Sequence, residues 1–298
     1  MDVFLLTRRR FILTALALLP AKTLFAETSP AQLLRIVSLD LAITESLLAL
    51  GVTPLAVANK RWYQNFIVNP PLPDLVREIG LPDEPNLELL ELLKPDLICA
   101  TKSQVLANSR LQHIAPVVTM DIFQPDSSPW QLAQQMIMQL GDYVSRREQA
   151  ENLVQEASNQ LHNVGARLQK FRTRPLFLAR INDDGRHLLL FGRRGMYDDL
   201  LQRMGFHNAF NGKTNAWGGA IVGLDHLLSQ PDARLVFFSN RQDRRTVDTL
   251  LSSPLWKSIP LIREGRYSTI NRLYPSGGLL SGMNFLRELE TAMVGQTV

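Results

Sequence analysis

Residues 87–96 read Leu87-Glu88-Leu89-Leu90-Glu91-Leu92-Leu93-Lys94-Pro95-Asp96 and run straight into Leu97-Ile98-Cys99-Ala100. The phrase returns in the second half as Leu224-Asp225-His226-Leu227-Leu228-Ser229-Gln230-Pro231-Asp232, followed by Leu235-Val236-Phe237-Phe238. Each copy reads as a short helix opening with an acid, where the helix dipole favours negative charge. A proline then stops the helix, and an unbroken apolar run follows as a buried strand. A second parallel sets Ile114-Ala115-Pro116-Val117-Val118 against Ile259-Pro260-Leu261-Ile262. Any α/β protein reuses this grammar, but the order of the pieces predicts a duplicated, two-lobe chain.

Working outward, Arg35 to Leu39 predicts a strand, and Thr44 to Leu50 a helix with Thr44 as its N-cap and Gly51 as its stop. Pro54 to Ala58 predicts a second strand, and Pro70-Pro71-Leu72-Pro73 an extended turn. The alternation of strand and helix signals is an α/β pattern. Between the copies lies a helical pattern from Pro129 to Phe171. Leu132, Met136, Leu140, Leu153 and Leu161 lie on one face, with Arg146, Arg147, Glu148, Glu151 and Glu156 on the other, and Gly141 and Gly165 are its weak points. Read as one helix it is a strut, since even ~25 residues span about 37 Å. The expected organisation is an export signal over 1–26, an N-terminal lobe over 27–128, a helical connector over 129–171 and a C-terminal lobe over 172–298.

The chain has 298 residues, 45% apolar and 20% charged, a globular composition. Residues 1–26 read as an export signal: basic Thr7-Arg8-Arg9-Arg10, apolar Phe11 to Leu19, a helix-breaking Pro20 and a small Ala26 for cleavage. Thr7-Arg8-Arg9-Arg10-Phe11-Ile12 reads as a twin-arginine signal, with an ordinary arginine-rich secretory signal as the alternative. Cleavage after Ala26 removes four positive charges and one negative, so the net charge falls from +4 to +1. That removes the argument for a nucleic-acid partner. No second apolar span follows, so the product is expected outside the cytoplasm, soluble or held there by an uncleaved signal. The single Cys99 excludes an intrachain disulfide and a cysteine-ligated zinc or iron–sulfur site, and reads as a buried strand residue.

The histidines, at 113, 162, 187, 207 and 226, have no metal-ligand spacing. There is no G-x-G-x-x-G, no P-loop and no G-x-S-x-G elbow, and Asp183-Asp184-Gly185 reads as a turn. An enzyme is therefore not expected. What remains are aromatic and basic residues at loop positions: Arg61, Trp62, Tyr63 and Phe66 after the second strand, and Lys102, Ser103 and Gln104 after the Leu97–Ala100 strand. Trp217 follows in Asn215-Ala216-Trp217-Gly218-Gly219, and Tyr274 in Leu273-Tyr274-Pro275-Ser276-Gly277-Gly278. Ligands in α/β sheets sit outside the C-terminal ends of strands, so these loops would face one cleft.

The chain also resembles the periplasmic ferric-siderophore binding proteins of ABC importers, most of all those that bind iron(III)-hydroxamates. The resemblance rests on Pro70 to Asp74, on Glu84-Pro85-Asn86-Leu87-Glu88-Leu89-Leu90 with Lys94-Pro95, and on Asn208-Ala209-Phe210 through Thr214-Asn215-Ala216-Trp217-Gly218. It continues through Ser253-Pro254-Leu255-Trp256, Gly265-Arg266-Tyr267 and Leu280 to Phe285, so it covers nearly all of the chain beyond the signal.

The resemblance implies two Rossmann-like lobes joined by one long α-helix, the helical-backbone type of binding protein, acting as a monomer without catalysis or a covalent cofactor. Iron would enter only as its siderophore chelate, bound in a shallow aromatic cleft and handed to a membrane permease with its ATPase. Glu88 and Asp225 match the acids with which such proteins dock on the permease. Trp217, Tyr274 and Phe66 match pocket aromatics, and Tyr63 is a further aromatic candidate. Arg61, Lys102, Gln104 and Arg193, with Arg194 beside it, are candidates for polar contacts. Two departures stand out: Pro82 and Gln104 fall where the hydroxamate binders use an arginine and a tyrosine. With those donors missing and the basic residues nearby, a more anionic chelate such as a carboxylate–hydroxamate or catecholate is expected. The alternatives are another cargo such as cobalamin or haem, for which Tyr63, Tyr274 or His187 would have to face the iron, and, more remotely, an exported enzyme.

Overall fold

The first half forms β1 (Ile36–Ser38), α1 (Leu41–Ala49), β2 (Ala56–Val57), α2 (Lys60–Phe66), β3 (Arg77–Glu78), α3 (Leu87–Leu93), β4 (Leu97–Ala100), α4 (Lys102–Ala107), α5 (Leu111–Ile114) and β5 (Val117–Thr119). The computed structural model describes residues 34–67, 69–182, 184–239, 244–271 and 273–295, so the export signal lies outside the described residues. The strands pair in parallel in the order β3-β2-β1-β4-β5. That order reverses between β1 and β4, the switch point where open α/β sheets bind ligands.

The helix after β1 starts earlier than the sequence suggests. Its N-cap is Asp40, whose Oδ1 accepts the N–H groups of Ala42 and Ile43 at 2.8 and 3.1 Å. Thr44 sits inside the helix and donates instead to Ser38 Oγ and the Asp40 carbonyl.

The connector resolves into two helices, α6 (Pro129–Tyr143) and α7 (Arg147–Arg167), and a short 3-10 turn, Gln169–Phe171. The expected continuous pattern breaks at residues 144–146, where Ser145 takes a left-handed φ of 54°. The chain reverses there: Gln134 of α6 donates to Ser158 Oγ of α7 at 3.1 Å. A Cβ on Gly141 would come within 2.7 Å of Ala150 Cβ, so the lack of a side chain lets the helices close up. Arg147 bonds Asp142 across the turn and Glu151 within its own helix. The long helix leading to the second lobe is α7, 21 residues or about 31 Å.

The second half forms β6 (Leu176–Ile181), β7 (His187–Phe191), α8 (Met196–Arg203), β8 (Gly219–Gly223), a 3-10 helix (Leu224–Ser229), β9 (Arg234–Ser239), α9 (Arg244–Ser252), α10 (Pro254–Lys257), α11 (Pro260–Arg263), β10 (Tyr267–Asn271) and α12 (Leu279–Val294). The sheet order is β10-β9-β6-β7-β8. β10, β9 and β6 run parallel, whereas β7 is antiparallel to both neighbours. The duplicated phrase lands as read: α3 feeds β4, and the 3-10 helix feeds β9. The second parallel does not hold. Pro116 leads into β5, but Pro260 opens α11 at its first turn, a position that tolerates a missing N–H. The strand corresponding to β5 is β10.

One apolar core crosses the molecule. It joins Ile36 and Leu97 of the first sheet to Ile43 and Leu47 of α1, Trp130 and Ile137 of α6, Phe285 and Leu289 of α12, and Val236 and Phe238 of the second sheet. Tyr197 of α8 stacks on both Phe285 and Phe238, with ring centroids 4.5 and 5.0 Å away, and those two stack on each other at 6.2 Å. A layer of helices is thus buried between the two sheets. Among the described residues no helix is long and apolar enough to cross a membrane.

Candidate functional site

The loops at the C-terminal ends of the first sheet's strands enclose one side of a cleft of about 920 Å³. β1 contributes Asp40, β2 and its helix contribute Trp62 and Phe66, and β3 contributes Pro82 and Asp83. β4 contributes Thr101 to Gln104, and β5 contributes Met120 to Phe123. The opposite wall comes from the second lobe: Arg180 of β6, Leu189 and Phe191 of β7, the Asn215–Trp217 loop, Phe238 of β9, and Leu273 to Ser276 after β10.

The tryptophan is held by its loop. Asn215 Oδ1 accepts the N–H groups of Trp217 and Gly219 at 3.0 and 2.9 Å, an Asx turn. Gly218 takes φ +79° against the backbone of Gly195, where a side chain has no room. The indole is left 55% exposed at the cleft, a large apolar surface that no core contact explains. Facing it from the first lobe, Trp62 and Phe66 lie one helical turn apart on α2, with ring centroids separated by 5.2 Å. Burial, and then the charge of Asp40, holds the Tyr274 hydroxyl well above its usual titration range, so it stays protonated and can donate.

Charges of both signs line the cleft. The carboxyl of Asp40 is pushed up to about 6 by burial, opposed by the Ile43 and Ala42 N–H groups and reinforced by Asp121. Asp121 accepts the N–H of Lys102 at 3.2 Å, which places a carboxylate at the first turn of α4. Lys102 and Arg180 supply positive charge, and Asp83 a third acid. Among the described residues no group of three or more His, Cys, Asp or Glu comes together as a metal site. Cys99 is buried in β4, and burial pushes its thiol up to about 12.

Of the residues singled out from the sequence, Phe66, Pro82, Lys102, Gln104, Trp217 and Tyr274 meet in this cleft. Gln104 is 5% exposed and committed to the fold: its Oε1 accepts Thr101 N–H at 2.8 Å, and its Nε2 donates to the Leu39 carbonyl. It shapes the wall rather than reaching for a ligand.

Three expected residues do not line the cleft. Tyr63 is fully buried in the first lobe and donates to the Pro70 carbonyl at 2.9 Å. Helical geometry turns it about 100° from Trp62, and Trp62 takes the cleft position. Arg61 projects from the same helix as an exposed residue outside the cleft lining. Arg193 is also exposed and outside the lining, and its carbonyl accepts Thr214 Oγ1 at 2.7 Å; Arg194 beside it is exposed with a φ of 72°. Most of the positive charge expected at the ligand is therefore elsewhere.

The sequence reading missed Asp40, Asp121 and Arg180. The first two follow β1 and β5 directly, and that position was the available signal. His187 bonds Asp184 at 2.5 Å and does not line the cleft. Glu88 and Asp225 are both exposed, each in the first turn of its lobe's duplicated helical segment.

Comparison with known proteins adds to this geometry. Residues 36–272 match the family described as "Periplasmic binding protein". The chain is 33% identical over 294 residues to the iron(3+)-hydroxamate-binding protein FhuD of Escherichia coli strain K12, covering 98% of each chain. It is 25% identical over 318 residues to the achromobactin-binding periplasmic protein of Dickeya dadantii, covering 97% of this chain and 96% of that one. Among solved structures, FhuD from Vibrio cholerae bound to Fe3+–Desferal superposes with a TM-score of 0.79. That match has 23% identity and covers 88% of this chain and 98% of the other.

Proposed function

The chain belongs to the periplasmic binding protein family, and from this we propose that it is the extracytoplasmic binding subunit of an ABC importer for a ferric siderophore. The cargo is a ferric hydroxamate or a mixed carboxylate–hydroxamate chelate. The protein acts as a monomer, without catalysis and without a resident cofactor. It reaches the periplasm by the twin-arginine route.

The observation that carries the reading is the cleft itself. A siderophore encloses Fe(III) with its own oxygen donors and presents an organic shell. A receptor for it needs apolar faces for that shell and a few polar groups for orientation. Trp62, Phe66, Trp217 and Tyr274 offer the first. Lys102 and Arg180, set against Asp40, Asp83 and Asp121, offer the second. This mixture favours a chelate that is neutral or carries local charges of both signs over a strongly anionic one. Glu88 and Asp225 present one exposed acid on each lobe, suited to arginines of a permease. Of the three side chains a haem would call on, only Tyr274 lines the cleft.

The test is a fluorescence titration of the mature protein with iron-loaded hydroxamate, carboxylate–hydroxamate and catecholate siderophores, with cobalamin and haem as outsiders. Saturable quenching by a hydroxamate-type ferric chelate is the expected result. Saturation only with cobalamin or haem would replace the reading with another cargo on the same fold.

A further inference from the structure

Behind the cleft floor, Glu45 of α1 is fully buried. Its Oε2 accepts the Gly278 N–H at 2.7 Å, and its Oε1 accepts the Ser281 hydroxyl at 2.7 Å. Both donors belong to the first turn of α12, a 16-residue helix of the second lobe. The contact therefore ties the helix after β1 to the end of the loop that carries Tyr274, Pro275 and Ser276, the cleft wall after β10. Gly278 allows the approach: a Cβ there would lie 3.0 Å from Glu45 Oε2 and 3.1 Å from the Ala42 carbonyl.

The ionisable groups acting on Glu45 are Asp40 on its own helix, Tyr63 from α2 and Tyr197 from α8, whose buried hydroxyl has no hydrogen-bond partner. α12 offers only the serine and the N–H, and α6 buries only apolar and glycine residues. Among the described residues no cation balances the carboxylate. Burial pushes its carboxyl up to about 7, opposed by the Ser281 and Gly278 hydrogen bonds and reinforced by Asp40.

We propose that Glu45 is a positioning residue for ligand binding, a proton-operated tie that holds the Tyr274–Ser276 wall against the first lobe. The proposal rests on the binding function inferred above. Protonated, the carboxyl accepts from Gly278, donates to Ser281 and is at ease in its apolar surroundings. Ionised, it gains solvation whenever the tie opens. Because the carboxyl binds its proton more tightly in the closed arrangement than in water, closure is favoured at low pH and weakens as pH rises through 7.

The experiment follows Gly278 amide protection by hydrogen exchange, and affinity for Fe3+–Desferal, from about pH 5.5 to about pH 8.5. In the unmodified protein, protection falls by up to about tenfold per pH unit as pH rises to 7 and levels off above it, and affinity weakens over the same rise. Glu45→Gln mimics the protonated form, and both profiles become flat and stay high. Ser281→Ala keeps the carboxyl but removes a hydrogen bond to its ionised form, so the midpoint moves up. Profiles in Glu45→Gln that match the unmodified protein, or an affinity in the latter that does not change with pH, overturn the proposal. If Fe3+–Desferal fails to bind at every pH, the transport reading loses its hydroxamate ligand, and the protection profile alone decides the tie.

Discussion

Asp199 of α8 accepts the backbone N–H of Trp130 at 2.9 Å and so caps α6 from the other half of the chain. The same carboxylate takes the Ser128 hydroxyl, and its second oxygen takes Arg203 Nε at 2.8 Å. Arg203 also donates to Ser128 Oγ. The start of the connector is thereby fixed to the second lobe by a three-residue network at a helix N-terminus, where an anion is favoured. Asp199→Ala is expected to lower stability by about 1–2 kcal/mol, read by chemical denaturation. Asp199→Asn should lose less, because it keeps the acceptor. Chelate affinity at saturating stability should be unchanged in both.

Trp217 is more than half exposed and touches no core. Trp217→Ala should leave the melting temperature in place while weakening ferric chelate binding about tenfold, the order of a large aromatic contact. A titration that saturates at the original concentration would remove the indole from the site.

Asp40 gives a pH signature distinct from that of the tie. Its folded carboxyl lies near 6 against an ordinary 3.8, raised mainly by burial. The folded state therefore holds the proton more tightly than the unfolded chain, and stability contributed below pH 4 is lost as pH rises to 6. The loss amounts to at most about 3 kcal/mol. Asp40→Asn keeps the Oδ1 cap on α1 and should flatten this part of the stability profile, seen in denaturation midpoints measured against pH.

Glu88→Ala and Asp225→Ala remove exposed charges that do not line the cleft. Each should leave chelate affinity intact and reduce uptake through the permease in cells, with the double variant worst. Full uptake by the double variant would place docking elsewhere.

The apolar core shared by the two sheets leaves little room for a hinge. Solution scattering is expected to give the same radius of gyration with and without chelate. A contraction of several ångströms would contradict the shared core as the restraint on lobe movement.

The duplicated acid–helix–proline–strand phrase was legible because each piece is local. Leu87 to Ala100 reads as α3 and β4 with no knowledge of the rest of the fold. The reversal at Ser145 was only half legible: Gly141 marked a weak point, but that the chain turns back there depends on Gly141 meeting Ala150 across two helices. Pro260 misled because a proline can end one element or open the next, and the local sequence permits both. In the cleft, Trp217 and Tyr274 were legible as bulky residues on glycine-rich loops. Trp62 stood in the same loop cluster as Tyr63, and its i,i+4 spacing to Phe66, which puts those two on one face, was the signal that separates them. Asp40, Asp121 and Arg180 meet only through the strand order β3-β2-β1-β4-β5 and its counterpart, which no single stretch encodes.

Each half of the chain owns a sheet, but neither owns a finished interior. The inner faces carrying Ile36, Leu97, Val236 and Phe238 are roofed by the same layer of α1, α6 and α12. The repeats are therefore not modules. A chain cut after residue 128 would leave α1 on one piece and α6 and α12 on the other, so each sheet would lose part of its cover, and the intact protein should melt in a single cooperative step.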